Sequence, residues 1–281
     1  MLKIVLVGLI LTLFVDDFRA QTVKQKYQID FNVIKGELTS KDPAKKDFGR
    51  YDGYEIELFE EEAINFIAYS NDFQPTIALV NSKGEIFKQS VRNDKGYANI
   101  VTIVKSGGNY LLYIIGGANA KGSYTLQTAV AEPNALYLNK EADFCSTLDF
   151  LLAHATAYFS LLENTELTKG PLIRLNDSID SYIDEEAGSY KSTYYSNNDL
   201  IEAETTFKNI GDKIKECFGK EWQIFTQGWE RIEDYKEKSK TFKEKIKDNP
   251  RYVKIVIKDY AISKSTHQNN FSVEVEVNRK Q

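Results

Sequence analysis

The chain offers chemistry few starting points. Cys145 and Cys217 are its two cysteines, and His154 and His267 its two histidines. A zinc site of four thiolates is therefore impossible, and a mixed site would need all four residues to meet. Cys145 and His154 fall on one predicted helix, nine residues apart. At ~100° per residue they point to opposite sides, so they are not a nucleophile–base pair within that helix. His154 lies off the helix's apolar stripe and reads as a flanking or surface residue. His267 falls in a polar loop, Ser265-Thr266-His267-Gln268-Asn269-Asn270. The sequence contains no H-E-x-x-H pair, no G-x-S-x-G elbow and no G-x-x-x-x-G-K-[ST] loop. Ser106-Gly107-Gly108 joins two strand-like runs instead of opening a helix, so it reads as a hairpin turn and not a phosphate cradle. No catalytic residue, metal ligand or cofactor is expected from these residues.

Two clusters remain. Asp177, Asp180, Asp184, Glu185 and Glu186 crowd one acidic stretch. A glycosidase needs two carboxylates at a fixed separation across a sugar, which spacing in sequence does not show. The stretch also lacks the Gly and the spacing of a helix–loop–helix calcium site. A solvated acidic loop is the plainer reading; a secreted hydrolase built on these carboxylates is the alternative. Tyr190, Tyr194 and Tyr195 form the candidate ligand-binding face, because exposed Tyr stacks on sugars or peptides at low entropic cost. Core packing competes with that role. Lys and Arg number 36 against 41 Asp and Glu, a net charge of -5, so no basic field marks a nucleic-acid binder.

The elements that must position these residues divide by period. From Tyr27 to Val130 apolar residues alternate in short runs: Tyr54 to Leu58, Ala63 to Tyr69, Thr76 to Val80, Ala98 to Val104 and Tyr110 to Ile115. Glu60-Glu61-Glu62, Asn81-Ser82-Lys83-Gly84 and Lys121-Gly122 punctuate them. This predicts an all-β sandwich. Residues 131–136 read as a linker. Beyond it Phe144, Leu148, Leu151, Leu152, Ala155, Phe159 and Leu162 recur at helical steps. Asn198-Asp199 caps a second helix with the stripe Ala203, Phe207, Ile210, Ile214 and Phe218. A third helix is expected from Trp229 to Lys247, on the spacing of Ile232, Tyr235, Phe242 and Ile246. Tyr252 to Ile257 and Phe271 to Val277 alternate and predict a terminal hairpin. The expected fold is thus an N-terminal β-sandwich, residues 21–131, followed by an α+β domain, residues 132–281.

The motifs Asp52-Gly53-Tyr54-Glu55-Ile56-Glu57-Leu58, Ser70-Asn71-Asp72-Phe73-Gln74-Pro75, Ser106-Gly107-Gly108-Asn109-Tyr110 and Gly122-Ser123-Tyr124-Thr125-Leu126 follow one another in that order. Together they resemble the bacterial pre-peptidase C-terminal domain, over roughly residues 30–130. The resemblance implies a small jelly-roll-like sandwich of the kind appended to exported enzymes. It also implies calcium binding by acidic loops. Here Gln74 stands where an Asp is usual, and Arg92-Asn93-Asp94 is poor in acids.

Lys3 precedes a short apolar run that ends at Asp16-Asp17, too short for the ~20 residues of a membrane span. It reads as a signal peptide cleaved after Ala20, the competing reading being an uncleaved anchor. Export to a secreted or periplasmic location places the cysteines in an oxidising compartment. Both fall at the edge of their helix's apolar stripe, so packed helices would bring them into bonding range. Closing a loop of roughly 70 residues is worth about 4 kcal/mol in the chain-entropy model; two buried thiols are the alternative. The function expected is non-catalytic binding or assembly, with a protein or glycan partner at the cell envelope, no nucleic acid and no transmembrane segment in the mature chain.

Overall fold

The computed structural model describes residues 27–46, 48–90, 96–162, 173–184, 186–246, 248, 250–261 and 269–279. The segment expected to direct export, with Ala20, and Arg92-Asn93-Asp94, Glu185 and His267 lie outside the described residues.

Among the described residues, the first half holds nine strands: β1 (Ile29–Leu38), β2 (Ala44–Lys45), β3 (Gly49–Leu58), β4 (Ala63–Tyr69), β5 (Thr76–Asn81), β6 (Ile86–Gln89), β7 (Tyr97–Ile103), β8 (Gly108–Gly116) and β9 (Gly122–Ala131). They form two antiparallel sheets, ordered β1-β9-β4-β7 and β2-β3-β8-β5-β6. Alternate residues of both sheets, among them Leu38, Phe66, Ile77, Ile100, Leu112 and Leu126, meet in one core. This is the β-sandwich the period-two pattern predicts. The hairpin expected at Ser106 to Asn109 does not form. β7 lies in one sheet and β8 in the other, so the glycines carry the chain between layers. Gly107 packs against the backbone of Leu58 and Glu60, where a Cβ would sit 3.2 Å from the Glu60 nitrogen. A Gly-Gly turn between two β-runs serves an arch between sheets as well as a hairpin, and the sequence signal is the same for both.

A 3-10 turn at Pro133–Leu136 leads into α1 (Phe144–Ala155), β10 (Asp180–Asp184), β11 (Ser189–Asn197), α2 (Leu200–Cys217), β12 (Trp222–Ile232), β13 (Tyr235–Glu244), β14 (Arg251–Asp259) and β15 (Phe271–Arg279). Asp199 caps α2 by accepting from the amides of Ile201 and Glu202. The six strands form one antiparallel sheet, ordered β10-β11-β15-β14-β13-β12. The terminal hairpin is present, with Val253 opposite Val277 and Ile257 opposite Val273. Their apolar side chains join Leu148, Leu151, Phe207, Ile210 and Ile214 of the two helices in a second core. No helix among the described residues is long and apolar enough to cross a membrane.

Two expectations need correction here. The segment expected as a helix from Trp229 to Lys247 is the β12–β13 hairpin, turning at Glu233-Asp234. Glu237, Ser239 and Phe242 of β13 are buried between half-exposed Lys238, Lys240 and Thr241, a near-alternation that Lys- and Glu-rich helix propensity masks. The first helix also stops earlier, at Ala155. Tyr158 and Phe159 then adopt left-handed φ values of 51° and 61°. That strain is offset by Phe159, which is fully buried in the second core.

A third apolar cluster draws on both halves. Ile29, Ala63, Val101 and Ala129 of the sandwich meet Ala135 and Leu136 of the connection, Ala153 of α1, and Ala157 and Leu161 in the turns that follow it. Helix α1 is therefore covered on two sides, by the six-stranded sheet and by the sandwich.

Candidate functional site

Register places the three tyrosines. Tyr190 and Tyr194 are directed inward from β11 and are buried. The Tyr190 hydroxyl accepts from the Leu175 amide at 3.0 Å and donates to Ser181 Oγ at 2.8 Å. Burial raises the pKa of both phenols. A β-bulge between Thr193 and Tyr195 turns the strand, leaving Tyr195 half-buried with its hydroxyl donating to the Asp199 carbonyl at 2.9 Å. The structure thus puts two of the three in the core and the third at the start of α2, and it does not gather them on one open face.

The carboxylates separate in the same way. The expected acidic loop is in part edge strand β10. Asp177 pairs with Lys213 at 2.9 Å and Asp184 with Lys191 at 2.7 Å. Hydrogen bonds from Lys191 and Ala187 hold the Asp184 carboxyl below the usual carboxylate range. Among the described residues, no three His, Cys, Asp or Glu side chains gather as a metal site would require.

Cys145 and Cys217 form a disulfide, joining the first turn of α1 to the last residue of α2. His154 is not at the surface as expected. It is fully buried, 4.5 Å from the Phe150 ring. Its Nε2 lies 2.7 Å from the Ala135 carbonyl. A carbonyl only accepts, so Nε2 carries the proton. Nδ1 is buried without a hydrogen-bond partner. Burial lowers the pKa to about 4, against a smaller opposing effect of the Ala135 hydrogen bond. The helix wheel misplaced this residue because it assumed one buried face, whereas α1 has two.

Three surfaces remain. A cleft of about 390 Å³ lies where β1 meets the six-stranded sheet, lined by Tyr27, Gln28, Glu244, Ile246, Arg251 and Arg279 among others. Its arginines are engaged. Arg251 grips Glu244 and donates to the Leu152 carbonyl at 3.1 Å, while Arg279 donates to the Thr156 carbonyl at 2.6 Å. Both thereby satisfy carbonyls at the end of α1. The sheet face away from the helices carries a ladder of pairs: Lys254–Glu237 at 3.0 Å, Lys258–Glu274 at 2.7 Å, and Tyr252 donating to Glu276 at 2.9 Å. Burial alone would lower the Lys258 pKa, but Glu274 outweighs it and pushes the group up to about 12.

The third surface is the outer edge of β12. In the β12–β13 ladder, the Lys245 amide donates to the Glu221 carbonyl. Hydrogen-bonded pairs alternate along an antiparallel ladder, so the backbone groups of Gln223, Phe225 and Gln227 face β13. Those of Ile224 and Thr226 face away from the sheet. Ile224 is 46% exposed and Phe225 53% exposed, on opposite faces of this strand. From Trp222 to Gln227 the edge carries no charge, no Pro and no Gly. Natural edges are usually blunted by such residues or by shortness. Elsewhere in the fold they are: β10 has five residues and carries Asp180 and Asp184, and β6 has four. Edge strand β1 carries Asp30, Lys35 and Glu37; edge strand β7 is uncharged, with Ala98, Ile100 and Val101 buried and Tyr97 and Asn99 exposed. No catalytic or ligand-binding side-chain motif singles out this stretch in the sequence. Its signal is present, a six-residue uncharged run rich in β-formers, Trp-Gln-Ile-Phe-Thr-Gln.

No family model matches the chain, and no curated protein matches it. Among solved structures, it is similar to the pre-peptidase C-terminal domain of collagenase from Bacillus anthracis, at 20% identity over 34% of this chain and 87% of that one, with a TM-score of 0.28. It is also similar to the periplasmic inhibitor of g-type lysozyme from Aeromonas hydrophila, at 12% identity over 39% and 91% of the two chains, with a TM-score of 0.27. A Bacillus endospore-appendage protein, from a family of disulfide-linked pili, matches at 13% identity over 38% and 92%, with a TM-score of 0.26. Likenesses this distant, each spanning less than half of the chain, place it in no family and assign it no activity.

Proposed function

We propose that this is an exported binding or assembly protein, acting at the cell envelope or outside the cell, that engages a protein partner by strand addition along β12. The observation that carries the reading is the open edge of that strand. It leaves backbone donors and acceptors at Ile224 and Thr226 beside exposed apolar side chains, the features that strand addition uses for affinity and for specificity. Such an edge recognises a polypeptide backbone, which favours a protein over a glycan. Export is supported by the apolar run behind Lys3, with cleavage after Ala20, and by the disulfide, since cystine persists in oxidising compartments. We place the boundary between two folding units at residues 131 and 132, docked through the shared apolar cluster around α1.

A photo-crosslinking phenylalanine analogue tests the reading in cells. Placed at position 225, it is expected to give a covalent protein adduct several-fold more abundant than the same analogue at Lys83, in the exposed turn between β5 and β6. Equal labelling from the two positions would overturn the proposed role of the edge.

A further inference from the structure

We infer that the occupant of the β12 edge is β12 of a second copy of this chain, paired antiparallel about a two-fold axis at Phe225. The inference rests on the proposed binding role of this edge and names its partner.

The sequence around Phe225 is close to palindromic: Gln223-Ile224-Phe225-Thr226-Gln227. An antiparallel strand pair centred there sets Phe225 against Phe225, Ile224 against Thr226 and Gln223 against Gln227. Each opposition is self-complementary. Phe meets Phe on the sheet face away from the helices, where directly opposed Cβ atoms stand ~5 Å apart. Two β-branched side chains meet on the helix face. Gln meets Gln, and an amide both donates and accepts.

The backbone obeys the same symmetry. Ile224 and Thr226 carry the outward N–H and C=O groups, so Ile224 of one copy and Thr226 of the other form a hydrogen-bonded pair, and the axis repeats it. A register shifted by one residue would set outward groups against inward ones and lose these bonds. Charges lie outside this core and are balanced, with Lys220 and Glu221 on one copy beside Glu230 and Arg231 on the other. The bulge between Gln227 and Glu230 ends the regular edge beyond the paired core. Two six-stranded sheets would become one continuous sheet of twelve.

Sedimentation velocity of the full mature chain, over a wide concentration range, tests this. The wild type is expected to sediment as two chains. Thr226→Pro removes only an outward N–H, and a proline whose missing N–H faces solvent is tolerated on an edge strand. Phe225→Lys puts a charge at the centre of the pairing. Both variants are expected to keep the far-UV spectrum and a cooperative melt, with a melting point lowered only by the lost association. Each is expected to raise the dimer dissociation constant about tenfold or more, because the axis applies every change twice. A wild type that stays monomeric at every concentration would overturn the second-copy assignment, as would a dimer that persists in both variants. The two readings fail separately: a monomer that still gives adducts from position 225, with a mass other than twice the chain, leaves strand addition standing and removes only the identity of the partner.

Discussion

Reduction of the Cys145–Cys217 disulfide is expected to cost the fold about 4 kcal/mol. The bridge closes a span of 72 residues, and the chain-entropy model gives that value for a loop of this size. The loop contains most of α1, the two strands β10 and β11, and all of α2, so reduction frees much of the unfolded chain that oxidation restrains. The two helices share one sheet face, and each also has its own apolar contacts with it. The native state should therefore survive reduction in weakened form. Urea unfolding with and without reductant measures the difference. The Cys145→Ser/Cys217→Ser variant should match the reduced protein, and hydrogen exchange in β3 to β8 of the sandwich should be unchanged. A loss under about 1 kcal/mol would mean that the denatured state is already constrained without the bridge.

Acid is expected to destabilise the protein through His154. The group has an ordinary pKa near 6.5 when unfolded and about 4 when folded, lowered chiefly by burial. The unfolded state thus takes up the proton first. The contribution of neutral His154 is complete above the unfolded pKa and is lost as pH falls through 6.5 toward 4. By pH 4 the loss amounts to about 3 kcal/mol. Carboxylates held below their usual range, Asp42 by the Thr39 amide and Asp184 by Lys191, add their own acid dependence. The comparison is therefore with His154→Gln, which keeps those groups and offers a donor toward the Ala135 carbonyl. Between neutral pH and pH 4 the wild type should lose about 3 kcal/mol more than the variant in urea unfolding. Parallel curves for the two proteins would show that His154 titrates normally. The residue ties α1 to the connection between the halves, so the acid-induced loss should appear first as exposure of the shared cluster around Ala135, Leu136 and Ala153.

The sandwich was largely legible because its evidence is local. Alternation in Tyr54 to Leu58 and the apolar, β-branched and aromatic run from Ala63 to Tyr69 need no partner to be recognised, and the strands fall there. The helix stripes, the Asp199 cap and the cysteines at the stripe edges were legible for the same reason. The misread elements are those where tertiary surroundings decide. Lys236 to Lys240 have strong helix propensity, yet they sit in a strand because β14 on one side and β12 on the other complete a sheet. The Gly107–Gly108 turn crosses between layers because β8 is needed between β3 and β5. His154 is buried because the sandwich closes over the second face of α1. The candidate surface was missed because its defining groups are backbone N–H and C=O at Ile224 and Thr226. Side-chain inventories of nucleophiles, acids and aromatics do not register an unpaired backbone.

Hydrogen exchange at the amides of Ile224 and Thr226 tests the central claim most directly. In the isolated monomer both should exchange at rates close to those of an unprotected chain, while Phe225 between them, bonded to β13, exchanges slowly. When the partner is engaged, in concentrated protein or in the cell envelope, both amides should become protected and Phe225 should change little. Rapid exchange at Ile224 and Thr226 under every condition would contradict the account, because the edge on which it rests would then never be occupied.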